Sequence, residues 1–138
     1  MKTQADIQPF IDRVLDWADG QASVLGVLLV GSYAREQAKE NSDIDLVLLV
    51  DNPSQYLSDT RWVQRFGIPE RQQQEDYGAL TSLRVWYQGG PEVEFGLTTP
   101  AWASLPMDEG TRQVLLDGYK LLYERTEWLS HIFEENLT

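Results

Sequence analysis

The 138-residue chain has no cysteine, which excludes disulfides, thiolate metal centres and a cysteine nucleophile. Histidine is nearly as scarce. The one present, His131, lies beside Ile132 and Phe133 and reads as a surface residue of an amphipathic helix, not as a general base. Positive charge is also in short supply: 11 Lys and Arg stand against 22 Asp and Glu, for a formal net charge of −11. No basic cluster occurs, so binding of duplex nucleic acid through its phosphates is not expected. A cationic small molecule or a basic partner protein would be attracted instead. No apolar run approaches the length that spans a bilayer, and residues 1–6 lack the apolar stretch of a signal peptide, so a cytoplasmic protein without membrane contact is expected. The Gly-x-x-x-x-Gly-Lys phosphate loop and the Gly-x-Gly-x-x-Gly fingerprint are missing. The acidic stretch around Asp43 also fails as an EF-hand, having neither the loop glycine nor the terminal glutamate.

What the chain does have is concentrated in its middle. Val27-Leu28-Leu29-Val30 reads as a buried strand ending at Gly31-Ser32; ten residues later comes Asp43-Ile44-Asp45, followed by the apolar run Leu46 to Val50. Residues two apart on a strand share a face, so Asp43 and Asp45 project together, with Cα atoms roughly 7 Å apart. Two carboxylates held that close repel each other. A hard divalent cation relieves the repulsion, and Mg²⁺ takes one or two carboxylates while keeping positions for water and phosphate oxygens. Backbone N–H groups and the Ser32 hydroxyl at the start of a following helix suit a phosphate. The plainer alternative is that the two acids cap a polar turn beginning at Asn41-Ser42.

The periodicity of the rest predicts an α+β fold with a small mixed sheet flanked by helices, in one domain covering residues 1–138 with a core at about 20–100. Ile7, Phe10, Ile11, Val14, Leu15 and Trp17 recur at helical spacing up to Gly20. Strands are expected at 24–30 and 44–50, with a short helix near 33–39 between them. Residues 57–66 read as helix, and Gln72 to Asp76 as a polar loop over the fold. Two further strands, 80–87 and 92–98, are joined by a hairpin turn through Gln88-Gly89-Gly90-Pro91. The C-terminal segment, about 108–138, reads as mainly helical: a helix capped by Asp108 and carrying Val114 and Leu115, a strand at 119–123, and a last helix marked by Leu129, Ile132 and Phe133. In the 92–98 segment Val93, Phe95 and Leu97 alternate with Glu92, Glu94 and Gly96, placing both glutamates on one face.

Gly-Ser, a ten-residue spacer and Asp-x-Asp on the next strand resemble the signature of the polymerase β-like nucleotidyltransferase superfamily, in the form of the minimal and aminoglycoside nucleotidyltransferase-like domains. The resemblance covers roughly residues 20–100. It implies a third carboxylate on a later strand, for which Glu94 is the choice, being deeper in its strand, with Glu92 as the reserve. It implies catalysis by Asp43, Asp45 and Glu94 as ligands of Mg²⁺ or Mn²⁺, in a pair of ions about 4 Å apart. ATP or another nucleoside triphosphate would be the substrate, held at Gly31, Ser32 and Arg35, and a nucleoside monophosphate would pass to a hydroxyl acceptor. Arg84 is a further candidate phosphate contact, and Trp86 a candidate wall of the acceptor pocket. The acceptor stays open between a cationic small molecule and a separate helical (HEPN-type) partner protein, as in antitoxin-like members. A degenerate binding module is the third reading, suggested by Glu36 where close relatives carry a glycine.

Overall fold

The computed structural model describes residues 4–36, 38, 42–103 and 109–125. The helical spacing of the first segment forms α1 (Gln4–Asp19), which lays Ile7, Phe10, Ile11, Val14 and Trp17 on the sheet. Two near-continuous apolar runs follow as β1 (Val24–Val30) and β2 (Ile44–Val50), separated by a single helical turn, α2 (Gly31–Ala34). Both strands are buried along almost their whole length because both of their faces are covered, as uninterrupted Val and Leu require. Next come α3 (Pro53–Ser58), a 3-10 turn (Arg61–Phe66), β3 (Pro69–Asp76), β4 (Thr81–Tyr87) and β5 (Glu92–Thr98). A second 3-10 turn (Pro100–Ala103), α4 (Glu109–Asp117) and β6 (Tyr119–Glu124) complete the described chain.

The six strands form one sheet in the order β3-β4-β5-β2-β1-β6, with β2 and β5 parallel and all other neighbours antiparallel. This is the expected small mixed sheet. One face carries the larger core, in which Phe10, Trp17, Phe66 and Phe95 pack with Val27, Leu29, Leu46 and Leu48. The opposite face carries a smaller cluster, Leu28, Val30, Val47, Leu49, Trp102 and Leu115.

Three local expectations are corrected. Residues 57–66 are not one helix: the chain leaves α3 at Asp59, whose carboxylate accepts from the Arg61 backbone N–H at 3.2 Å and from the Arg61 guanidinium. A side chain satisfying a nearby backbone donor in this way competes with helix continuation. Gln72 to Asp76 is not a loop but part of edge strand β3, paired to β4 from Pro69 to Asp76. The helix after β1 is one turn, Gly31–Ala34, shorter than 33–39. Asp108 and the final helix expected around Leu129, Ile132 and Phe133, with His131, lie outside the described residues.

Candidate active site

Strand pairing assembles the site. In the parallel β2–β5 pair Asp45 stands opposite Glu94, and in the antiparallel β4–β5 pair Arg84 stands opposite Glu94. Residues opposite one another share a face, so Asp45, Glu94 and Arg84 form a row across three strands, with Glu92 two residues along and Asp43 just before β2. Asp43, Asp45 and Glu94 each present a carboxylate oxygen such that the three atoms lie within 4.8 Å of one another. Glu92 is not one of the three.

The Arg84 guanidinium bridges this group. Its Nη1 donates to Asp43 Oδ2 at 2.9 Å and to Glu92 Oε2 at 2.5 Å, and its Nη2 donates to Glu94 Oε2. One cation does not compensate four carboxylates. Burial, followed by the fields of Asp43 and Glu94, pushes the Asp45 carboxyl up from 3.8 to about 8, and Arg84 only partly opposes this. Burial also raises Glu94, against the pull of Arg84.

Gly31 fits against this row from β1. Its φ is +74°, and a Cβ there would stand 2.2 Å from Asp45 Oδ2. Only glycine allows both the left-handed backbone and the approach. Gly31, the first residue of α2, therefore stands next to Asp45, Ser32 follows it in the same turn without lining the cleft, and Arg35 closes α2. Gly31, Arg35, Asp45 and Glu94 all line a cleft of about 640 Å³ whose other walls include Val47, Leu80, Trp102 and Asp117. Trp86 does not line it; the Arg71 guanidinium sits over its ring at 4.3 Å. Sequence reading missed Trp102 and Leu80 as cleft walls, because their position depends on the turns after β5 and before β4 and no periodicity marks it.

Glu36 takes φ +58°, the left-handed conformation that a glycine would adopt freely, and its carboxylate pairs with Lys120 Nζ at 3.4 Å. The side chain is thus tied to β6.

Among the described residues the three carboxylates converge with no His or Cys in the group, an oxygen-only set of the chemistry a hard divalent cation prefers. Asp45 is raised first by burial and then by the fields of Asp43 and Glu94, so like charge is crowded here. On both counts these residues fit Mg²⁺ or Mn²⁺.

A mixed sheet carrying paired acids on one strand and a third on its parallel neighbour, with helices packed on its faces, is the nucleotidyltransferase fold. The chain belongs to the streptomycin adenylyltransferase family, whose model matches residues 1–130. An aminoglycoside 6-adenyltransferase from Bacillus subtilis shares the fold, with TM-score 0.56 and 17% identity over 75% of this chain and 37% of that one. The chain therefore spans about two-fifths of that relative's length. A GLD-2/RNP-8 complex aligns with TM-score 0.43 and 18% identity over 79% of this chain and 38% of that chain. No curated protein sequence matches.

Proposed function

We propose that this chain is a metal-dependent nucleotidyltransferase that moves a nucleoside monophosphate from a nucleoside triphosphate to an acceptor hydroxyl. The observation that carries this reading is the convergence of the Asp43, Asp45 and Glu94 oxygens within 4.8 Å beside a cleft lined by Gly31 and Arg35. Asp43, Asp45 and Glu94 hold the divalent cation. Once bound, it supplies the positive charge that lets phosphate oxygens approach three carboxylates.

In the transfer, the acceptor oxygen forms a bond to the α-phosphorus as the bond from that phosphorus to the bridging oxygen breaks, and pyrophosphate leaves. Gly31 and Ser32 bind the triphosphate and Arg35 steadies it from the cleft wall. Glu94, on the cleft wall beside the cation site, would accept the acceptor's proton. Asp117 and the net charge of −11 favour a cationic acceptor, and the relative that shares the fold acts, by its name, on an aminoglycoside. Glu36, the residue that suggested a degenerate module, holds its left-handed backbone and pairs at the surface with Lys120.

Incorporation of label from α-³²P-ATP in the presence of Mg²⁺, with a panel of aminoglycosides and separately with cell extract, tests this reading. Label in an aminoglycoside identifies the acceptor class, whereas label in a protein band identifies a partner protein. No label in any arm, with folded protein and each nucleoside triphosphate tried, would overturn the assignment.

A further inference from the structure

Arg84 touches the acids without lining the cleft. Its guanidinium spends donors on Asp43, Glu92 and Glu94, and two of those three are carboxylates that the proposed function gives to a divalent cation. We propose that Arg84 is a latch on the metal site: its guanidinium and the divalent cation compete for Asp43 and Glu94, so that cation binding loosens the hold of Arg84 on them. The inference rests on the metal-dependent reading of the same three acids.

The geometry supports competition over mere proximity. Arg84 lies on β4, one strand in from the edge and opposite Glu94, and its side chain is three-quarters buried. Two donors of one planar fork reach carboxylates on different segments, Asp43 before β2 and Glu94 on β5, drawing them together from the open side. The guanidinium takes up lone pairs of Asp43 Oδ2 and Glu94 Oε2 and sets a positive charge beside the carboxylates that a cation would use, so the two positive charges repel each other there. Glu92 provides the resting place. It bonds Arg84 Nη1 at 2.5 Å, it is the more exposed carboxylate at 38%, and it is not one of the converging three. Arg84 can thus swing away from Asp43 and Glu94 while keeping a counter-charge. Without the cation, the latch holds together acids that would otherwise repel.

The test measures Mn²⁺ affinity of the nucleotide-free protein by titration calorimetry in wild type, Arg84→Met and Arg84→Lys. Arg84→Lys keeps the charge but lacks the fork that holds two carboxylates at once. Competition predicts tighter Mn²⁺ binding in both variants, about tenfold for Arg84→Met and about threefold for Arg84→Lys. It also predicts that the wild-type guanidinium signal of Arg84, followed by ¹⁵N NMR, shifts on adding diamagnetic Mg²⁺. A gain in Arg84→Met with Arg84→Lys equal to wild type would mean that only net charge matters and would overturn the latch. Equal or weaker binding in both variants would overturn it too, leaving the metal site standing. If wild type and both variants bind no Mn²⁺, the metal-dependent reading falls and the latch with it. Should Arg84→Met fail to fold, Arg84→Lys and the guanidinium shift decide.

Discussion

The two faces of the sheet are built to opposite standards, although the same strands supply both. On the α1 face, Trp62 packs edge-on to Phe95 with ring centroids 4.9 Å apart, Trp17 stacks on Trp62 at 5.2 Å, and Phe10 meets Phe66 at 5.8 Å. Few polar groups enter it. On the other face, acids and one arginine occupy the middle of the sheet, and the smaller apolar cluster lies to one side. Strand β5 shows the contrast within two residues: Phe95 is fully buried in the core, and Glu94 next to it faces the cleft. The lesson is a division of labour. One face supplies the stability that lets the other hold crowded like charge, a costly arrangement kept for function.

The sharpest way to break this comparison is at β5. Phe95→Ala removes a buried ring that touches Trp62 and Phe66 and should cost about 3 to 5 kcal/mol in denaturant unfolding. Glu94→Gln, one residue away, should leave unfolding nearly unchanged. If Phe95→Ala costs under about 1 kcal/mol, the α1 face is not the source of stability. Glu94→Gln should instead lower any transfer rate at least about a hundredfold, with Glu92→Gln costing less than about tenfold; a reversed ranking in folded variants would make Glu92 the working acid.

Gly31→Ala probes the seam between backbone and charge. The +74° backbone and the approach to Asp45 together imply a loss of about 1 to 3 kcal/mol in thermal or chemical unfolding. A variant as stable as wild type would show that the turn has room to spare.

The last effect is a slope, spread over several pH units. Folded Asp45 keeps its proton to about pH 8, against 3.8 ordinarily, so between those values the folded state binds a proton the unfolded state has lost. Stability of the metal-free protein therefore falls as pH rises from about 4 through about 8, and Asp45→Asn should flatten that fall in pH-dependent melting curves. Mg²⁺ should act with the opposite sign, its stabilisation growing as the carboxylates deprotonate. An Asp43→Asn, Asp45→Asn double variant that still shows the full Mg²⁺ shift would remove the metal from these acids.

Much of this was visible in the residues alone, for reasons that differ by element. The bounds of β1, β2 and β5 could be read because Val and Leu runs, or strict alternation around Val93, Phe95 and Leu97, leave the backbone little choice. Period two puts Asp43 with Asp45 and Glu92 with Glu94, whereas the third carboxylate was expected from the family resemblance and Glu94 chosen for its depth in the strand. Strand β3 was not. Pro69–Asp76 has one neighbour and buries neither face, so its Glu, Arg and Gln residues carry no alternation, and polar edges of this kind also discourage pairing with other chains. The Arg84 bridge was hidden for another cause: it depends on the register of three strands that are distant in sequence, and a guanidinium's partners cannot be inferred from its neighbours in the chain.

The parallel pairing of β2 with β5 carries a consequence for how the protein folds. Asp45 and Glu94 lie roughly fifty residues apart in sequence and meet only when a non-local pairing closes around the segment that forms β3 and β4. Loop closure over such a span is slow compared with forming the β4–β5 hairpin. The hairpin that carries Arg84, Glu92 and Glu94 can therefore form early with its ion pairs in place, and Asp43 and Asp45 join it when the rest of the sheet closes. The site becomes complete only as the chain reaches its native topology.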